Sequence, residues 1–317
     1  ADSGSTVQQG LAEGHIFGFV ADTDHHSAHP GSYGHGMHGV WAESLSRESI
    51  WDAIFQRRTY ALTGDRIRLD YTIGDAPMGA VRTPGGSREL RVDLEGGAAI
   101  DYVDLIHNNR LIRRVTPVDM RAATTGSEGG KGWIRSKVYL EVGWGPRGKG
   151  VSWKAEFGIE EGEILDVEPR FRGPDVLSPE QEADSEESAF YSWCQRKDER
   201  TVHFETRTYG NPTTSTPGTQ GVCLEVKMPR NARIWAELNG VPVATTVERL
   251  LAGGKSGHLR HEIDSPAWLL HRMPEEWELY WTLREQSLPK LTAGDFLYLR
   301  VRQQNNQWAW GSPIFIR

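Results

Sequence analysis

From Arg66 to the C-terminus the apolar residues recur at every second position, and this period constrains the fold more than any other feature of the chain. Ile67, Leu69, Tyr71 and Ile73 alternate with Arg66, Arg68, Asp70 and Thr72, the pattern of a strand with one face in a core and the other in water. The alternation returns at Leu90, Val92 and Leu94, and again at Leu297, Leu299 and Val301. Asn108-Asn109 and Asn239-Gly240 interrupt apolar runs, where two-residue hairpin turns need residues that tolerate positive φ. QQNNQ at 303–307 reads as a turn into the closing WAWGSPIFIR. Nearly everything after residue 66 is therefore expected to be β. No fixed-period repeat stands out, which disfavours solenoids and propellers.

The first 65 residues follow a different rule. Ser5 as N-cap, Val7 and Leu11 on one face and Gly14 at the end predict a short helix over 5–13. HIFGFVA at 15–21 is a continuous apolar run bounded by polar residues; it reads as a strand buried on both faces, as in a parallel sheet covered by helices. Glycine, histidine and proline dominate 30–39, the composition of a loop. Ser46 then caps a second helix, with Leu45 and Ile50 at the spacing of a hydrophobic staple and Ile50, Ala53 and Ile54 along one face. That helix should end near Arg57 or Arg58. A chain of 317 residues suggests about two domains, here expected at 1–65 and 66–317.

Residues 20–31, VADTDHHSAHPG, hold three histidines and two aspartates. Side chains two apart on an extended chain point the same way, so Asp24 and His26 are expected to project together while His25 points elsewhere. At the carboxyl end of a parallel strand they would stand where α/β folds collect their active-site loops. Carboxylate oxygen with imidazole nitrogen suits zinc, manganese or iron, and a carboxylate can bridge two ions. The competing reading is a solvent-facing polar loop, in which Asp and His serve as turn residues. Two side chains do not hold an ion securely. The missing ligands come either from His29, His35 and His38 folding back, or from residues outside this chain. Fixing the glycine-rich PGSYGHGMHG costs considerable entropy, which favours the second source.

Other features exclude more than they assign. A net charge of -7 and a pI near 5.9 leave no basic footprint for nucleic acid. No apolar run is long enough to cross a bilayer. The two cysteines, Cys194 and Cys223, exclude a disulfide framework and a CxxC zinc site, while one bridge stays open. The chain starts with Ala1 and no signal peptide is visible, so it reads as processed or truncated, with cytoplasm and periplasm both open as compartments. PDVLSPEQEADSEE at 174–187 carries six acidic residues and no basic one, and is expected to be a solvated loop. GWGPRGKG at 143–150 lacks the spacing of a phosphate loop and reads as a turn. Arg58 and Arg66 flank RTYALTGDR, where guanidinium groups either bind a small anionic substrate bidentately or pair with neighbouring acids. Trp41 and Tyr60 are expected to pack.

FVADTDHHSAHPG resembles the closing metal motif of the PHP (polymerase and histidinol phosphatase) superfamily, in particular the group labelled domain of unknown function 3604 (DUF3604). Its typical wording is a strand, then SSD-x-H, then a Pro-Gly turn. VWAESLSRESIWDAIFQRRTYALTGDRI is similar to that group's TREAIWDAL...RRTYATTGDRI segment, with Leu62 in place of a threonine. LYLRVRQQNNQWAWGSPIFI is similar to its terminal strand pair with AWSSPI. The resemblance runs from residue 16 to the C-terminus, strongest at the two ends and diffuse between 75 and 290.

That resemblance implies an α+β, mostly β chain: the last part of a PHP-type barrel, similar to a (β/α)-barrel of seven strands, then a large antiparallel β-sandwich-like domain. It places the DxH pair on Asp24 and His26 as ligands of two or three divalent ions (zinc, manganese or iron) that activate water. Asp22 stands where the group has a small polar residue, and either orients a ligand or caps the turn, the turn reading being preferred. His29 is a further candidate for metal or substrate contact. The HxH motif and other ligands that precede DxH in such proteins are absent, so the chain looks like a C-terminal half. A companion polypeptide carrying that motif is expected against residues 1–65, whether the chain is truncated, cleaved or split. The function implied is metal-dependent hydrolysis, of a phosphate ester above all. The contrasting reading is a non-catalytic binding or assembly module in which Trp277 or Trp281 recognises a glycan or protein.

Overall fold

The computed structural model describes residues 6–24, 31–124, 132–146, 149–173, 192–209, 218–262, 265–286 and 288–317. Strand makes up 50% and helix 11%. The chain forms two compact units that interleave in sequence: Ala1–Asp22, His35–Gly126 and Trp277–Arg317 make the first, Thr23–Gly34 and Ser127–Glu276 the second.

The first unit holds an eight-stranded sheet. Its main path runs Met37–Val40, Thr59–Leu62, Trp308–Gly311, Phe296–Gln303, Ile314–Ile316 and Val81–Arg82, and Ile100–His107 joins Phe296–Gln303 to Arg110–Val115. A four-stranded sheet, Tyr280–Glu285, Leu90–Glu95, Arg68–Ile73 and Ala76–Pro77, shares its core. The alternation seen in the sequence is realised there: Leu69, Tyr71 and Ile73 are buried while Arg68 is exposed, and Leu90, Val92 and Leu94 are buried while Arg91 and Asp93 are exposed. Asn108 and Asn109 both take positive φ, 50° and 62°, between two strands paired as an antiparallel hairpin.

The second unit is a sandwich of two five-stranded antiparallel sheets. One is ordered Trp193–Arg196, Thr201–Tyr209, Gly150–Ile159, Arg233–Leu238, Val241–Thr246; the other Glu163–Arg170, Thr219–Pro229, Trp133–Gly143, Ala267–Leu270, Lys255–His258. Val138, Leu140, Phe157, Phe204, Leu224 and Ile234 meet between them, each fully buried. Asn239 and Gly240 make the expected tight turn, at φ 50° and 81°. Trp144 and Gly145, inside the glycine-rich stretch at 143–150, both have positive φ, and Lys149 N–H closes a turn on the Pro146 carbonyl at 3.1 Å. The acidic run at 174–187 lies outside the described residues.

The expected PHP-type barrel is not there. Among the described residues no β/α barrel forms, and the sheets are antiparallel except for the short Val81–Arg82 and Ile314–Ile316 pair. The apolar run 15–21 is not a sheet strand at all. Phe17, Phe19 and Ala21 turn inward onto a small cluster with Leu11, Tyr298 and Phe315, while Ile16 and Val20 are 40% and 55% exposed. The segment therefore lies across one face of the eight-stranded sheet. A run of bulky residues is equally compatible with both placements, because hydrophobicity fixes burial and not hydrogen-bond partners. The helices are shorter than expected: Val7–Ala12, capped by Thr6, and Arg47–Phe55, capped by Ser46. Leu45 is 97% exposed, so no staple closes the second helix.

Candidate functional site

In the first unit, segment 15–22 is fastened by Ser312. Its buried hydroxyl accepts the Phe19 N–H at 2.7 Å and lies 3.2 Å from the Thr59 hydroxyl. Gly18 makes the approach tolerable, since a Cβ there would meet the Thr59 hydroxyl at 2.9 Å. Asp22 follows at the surface, and His38 Nδ1 lies 3.3 Å from its Oδ1 and 3.3 Å from the Ala21 carbonyl. His38 is placed by the strand Met37–Val40, where it pairs with Ala61 of Thr59–Leu62. The loop before it passes so close to Asp22 that a Cβ on Gly36 would sit 2.7 Å from the Asp22 carbonyl oxygen. The glycines thus let the loop fold back, and His38 reaches an aspartate.

Arg58 and Arg66 differ in setting. The Arg58 carbonyl accepts the Trp41 N–H at 2.9 Å, and its buried Nε has no hydrogen-bond acceptor among the described residues. Its charge faces Asp70, whose carboxyl is pushed up by burial and partly drawn back by Arg58. Arg66 is exposed. Between them Asp65 is fully buried. Trp41 packs as expected, with its Nε1–H on the Leu69 carbonyl at 2.8 Å and Arg68 4.9 Å above its ring, and Tyr60 is buried.

In the second unit, Asp24 is exposed and takes φ 45°. Such a backbone is not extended, so the alternation that placed its carboxylate beside the imidazole of His26 does not hold at this residue. His26 and His29 lie outside the described residues. The chain beyond them is anchored firmly. Tyr33 N–H donates to the Phe171 carbonyl at 2.8 Å, and Ser32 Oγ accepts from Gly173 N–H at 3.0 Å. The Tyr33 ring, 7% exposed, has the guanidinium groups of Arg170 and Arg172 at 5.6 Å and 5.4 Å from its centre.

Around Arg172 stands a polar constellation that sequence reasoning missed. Gln220 clamps its backbone on both sides, at 2.7 Å and 2.8 Å, and Arg172 Nη1 reaches Thr219 Oγ1 at 3.2 Å. His271 Nε2 lies 2.8 Å from Glu141 Oε2, and its ring stacks on Tyr139 at 4.6 Å and 24°. Burial alone would raise the Glu141 carboxyl; hydrogen bonds from His271 and Thr219, with the charges of His271 and Arg172, outweigh it and leave the group below its ordinary value. Arg170, 2% exposed, pairs with Glu168 at 2.9 Å and lies 4.7 Å from the Tyr139 ring. A carboxylate, an imidazole and a guanidinium gathered in this way can orient an anion and hold a proton. No local motif announces them, because Tyr33, Glu141, Arg172 and His271 are far apart in sequence and meet only through tertiary contacts: Glu141 lies in a strand, Arg172 and His271 just beyond strand ends, and Tyr33 in a turn bonded to Phe171. Among the described residues no three His, Cys, Asp or Glu side chains form a group able to hold a metal ion. Trp281 is 1% exposed, so it presents no platform for a glycan; Trp277 is half-buried under the Arg121 guanidinium, 5.8 Å from its ring.

Comparison with known proteins gives a partial family match and no function. Residues 25–75 match the model of a family described as a protein of unknown function, DUF3604, which supports the resemblance to that group over this stretch. The chain is 31% identical over 130 residues to an uncharacterized protein of Chlamydia pneumoniae, covering 37% of this chain and 21% of the relative. An uncharacterized protein of Chlamydia trachomatis is 29% identical over 117 residues, covering 35% and 18%. The matched part is thus about a fifth of the length of these relatives. No solved structure matches the chain.

Proposed function

We propose that this chain is the C-terminal part of a metal-dependent hydrolase of the PHP superfamily, a phosphoesterase, to which it contributes Asp24 and His26 as ligands of a divalent zinc, manganese or iron ion. The observation that carries the reading is the position of Asp24. It sits at a left-handed turn at the head of the family-matching stretch 25–75, and the chain beyond the histidines is pinned by Ser32 and Tyr33.

Asp24 and His26 are chemically suited to such an ion but are only two donors, short of the three or four a protein site needs. The proposal therefore includes further donors on polypeptide outside this sequence, in keeping with the greater length of the relatives. Bound there, the ion would supply a water activated for attack at neutral pH. This chain's own residues do the positioning. Tyr33, held between main-chain bonds and two guanidinium groups, fixes the end of the ligand loop. Arg58 and Arg66 are the candidates for gripping a small anionic substrate. Asp22, held to His38, belongs to the turn.

The natural full-length protein is the right object for a test. Metal content by elemental mass spectrometry and hydrolysis of p-nitrophenyl phosphate would be compared for wild type, Asp24→Asn and Asp22→Asn. The expected result is stoichiometric metal in the wild type, with metal and turnover reduced at least about tenfold in Asp24→Asn and nearly unchanged in Asp22→Asn. Retention of both metal and turnover by Asp24→Asn overturns the assignment.

A further inference from the structure

The two sheets of the first unit do not close completely on each other. Between them lies a cavity of about 200 Å³. Its walls are Leu90 and Val92 of one sheet and Val103, Leu105 and Leu299 of the other, and Met120 of the helix Pro117–Thr124 closes one side. Each of these residues is at most 7% exposed. Protein interiors rarely leave voids above the size of a water molecule, and an apolar cavity of about 150 Å³ already admits benzene.

The mouth is polar but electrically balanced. Arg113 is ion-paired with Glu285, and Arg284 and Asp119 complete the rim with one charge of each sign. A second cavity of about 310 Å³ adjoins, sharing Leu105, Arg113 and Glu285, so the ion pair stands on the boundary between the two spaces. A ligand with a net charge would have to displace one member of that pair and leave the other facing a like charge. A neutral hydroxyl or amide can donate to Glu285 and accept from Arg113 without breaking the pair.

We propose that this cavity is a binding site for a compact apolar molecule, one six-membered ring or a short acyl chain, bearing a single neutral polar group. The volume sets the size, the walls set the apolar body, and the Arg113–Glu285 pair sets the uncharged head. Met120 supplies the adaptable surface, since an unbranched thioether reshapes around a ring more easily than a branched side chain does. The site is independent of any metal chemistry at Asp24.

The chain has five methionines, so methyl-labelled methionine NMR of the full chain gives a simple spectrum, in which Met120→Leu identifies the Met120 signal. Phenol, benzoate and benzylamine would be titrated in turn. Expected are a saturable shift of the Met120 methyl with phenol, at least about tenfold weaker binding of both charged analogues, and loss of the phenol response in Val115→Phe. Val115 is a half-buried lining residue, so the larger side chain fills the cavity from its edge with the least disturbance of the core. Absence of a phenol shift, equal binding of the charged analogues, or an unchanged response in a folded Val115→Phe each overturns the proposal. Should that variant not fold, Glu285→Gln supplies the second measurement: it is expected to lower the preference for phenol over benzoate, and an unaltered preference counts against the assigned head-group contact.

Discussion

Asp104 and Arg114 face each other directly across two antiparallel strands and meet through a two-pronged contact, Nε to Oδ1 at 2.7 Å and Nη2 to Oδ2 at 3.0 Å. On the opposite side of Asp104 the register brings Arg300, whose Nη2 reaches Oδ2 at 2.6 Å. The carboxylate is fully buried, whereas the arginine side chains are 41% and 34% exposed. Arg114 also lies 3.7 Å from the Tyr102 ring, and Arg300 lies 5.7 Å from that of Trp308. One buried anion thus ties three strands of the eight-stranded sheet together.

Removing the anion should cost more than removing one cation. In Asp104→Asn both guanidinium groups lose their carboxylate, but they are exposed enough to rehydrate, so the expected loss falls at the lower end for broken buried pairs, about 3 kcal/mol. Arg114→Met leaves Arg300 in place and should cost about 1 kcal/mol. Hydrogen exchange of the amides in Ile100–His107 under mild denaturant measures both. A larger loss in Arg114→Met than in Asp104→Asn contradicts this account.

The same contact makes the first unit sensitive to acid. Burial by itself would raise the Asp104 carboxyl, yet the charge-assisted hydrogen bonds from Arg114 and Arg300 outweigh it and hold the group below its ordinary value. A carboxyl whose folded-state value is depressed contributes fully above its unfolded value, about 3.9 for Asp, and loses that contribution as pH falls through the folded-state value. The contribution of Asp104 should therefore be flat from about pH 8 to about pH 5 and disappear on further acidification. Stability measured across that range should fall more steeply below about pH 4 for the wild type than for Asp104→Asn. Parallel curves would show that Asp104 is not the group responsible.

Asp65 is another fully buried carboxylate of the first unit, and two neutral side chains donate to it. Its Oδ2 accepts from Gln303 Nε2 at 2.7 Å and Asn305 Nδ2 at 2.8 Å, while Gln303 Oε1 accepts the N–H groups of Gly97 and Ala98 at 2.6 Å and 3.1 Å. Gly97 packs so closely that a Cβ would lie 2.6 Å from the Asp65 Cβ. Gln303→Leu preserves much of the volume but removes a donor to Asp65 and the acceptor of the buried Gly97 amide and the half-buried Ala98 amide. A loss of about 2–3 kcal/mol is expected, read as a lowered denaturation midpoint. Gly97→Ala should destabilise as well, through displacement of Asp65. A neutral Gln303→Leu would mean that water replaces the amide.

These cases show what the sequence made legible. The TGDR and QQNNQ stretches were visible as a resemblance and as a turn, but nothing local joined Asp65 to Gln303 across more than two hundred positions. Strand alternation was readable because one face of each strand is wet, and the Asn-Asn and Asn-Gly turns because few residues accept positive φ. The run at 15–21 misled because period and burial do not specify whether a segment lies within a sheet or across it. The barrel implied by the resemblance is likewise not formed among the described residues. Of the candidate site, Asp24 was legible by residue type, but its backbone geometry was not. Arg172, Glu141 and His271 could be found only from the tertiary contacts that join segments distant in sequence.

Ser312 carries the last prediction, because it fastens segment 15–21 within the first unit. Its hydroxyl is the acceptor for the Phe19 amide, and its carbonyl accepts the Tyr71 hydroxyl, so one residue fixes segment 15–21 to two strands of the first unit. Ser312→Ala keeps the carbonyl and deletes the hydroxyl. The Phe19 N–H, on a residue 7% exposed, then has no acceptor, at a cost of about 1–3 kcal/mol. Segment 15–21 is held otherwise by a small cluster of apolar contacts and by polar contacts at its two ends, His15 N–H to the Gly10 carbonyl and His38 against the Ala21 carbonyl, so the effect should stay local. Hydrogen exchange at Phe19 should accelerate by at least about tenfold while the amides of Ile100–His107 exchange at their wild-type rate. Uniform acceleration across both segments would instead place Ser312 in the cooperative core. Unchanged exchange at Phe19 would remove the hydroxyl from any role in fastening segment 15–21.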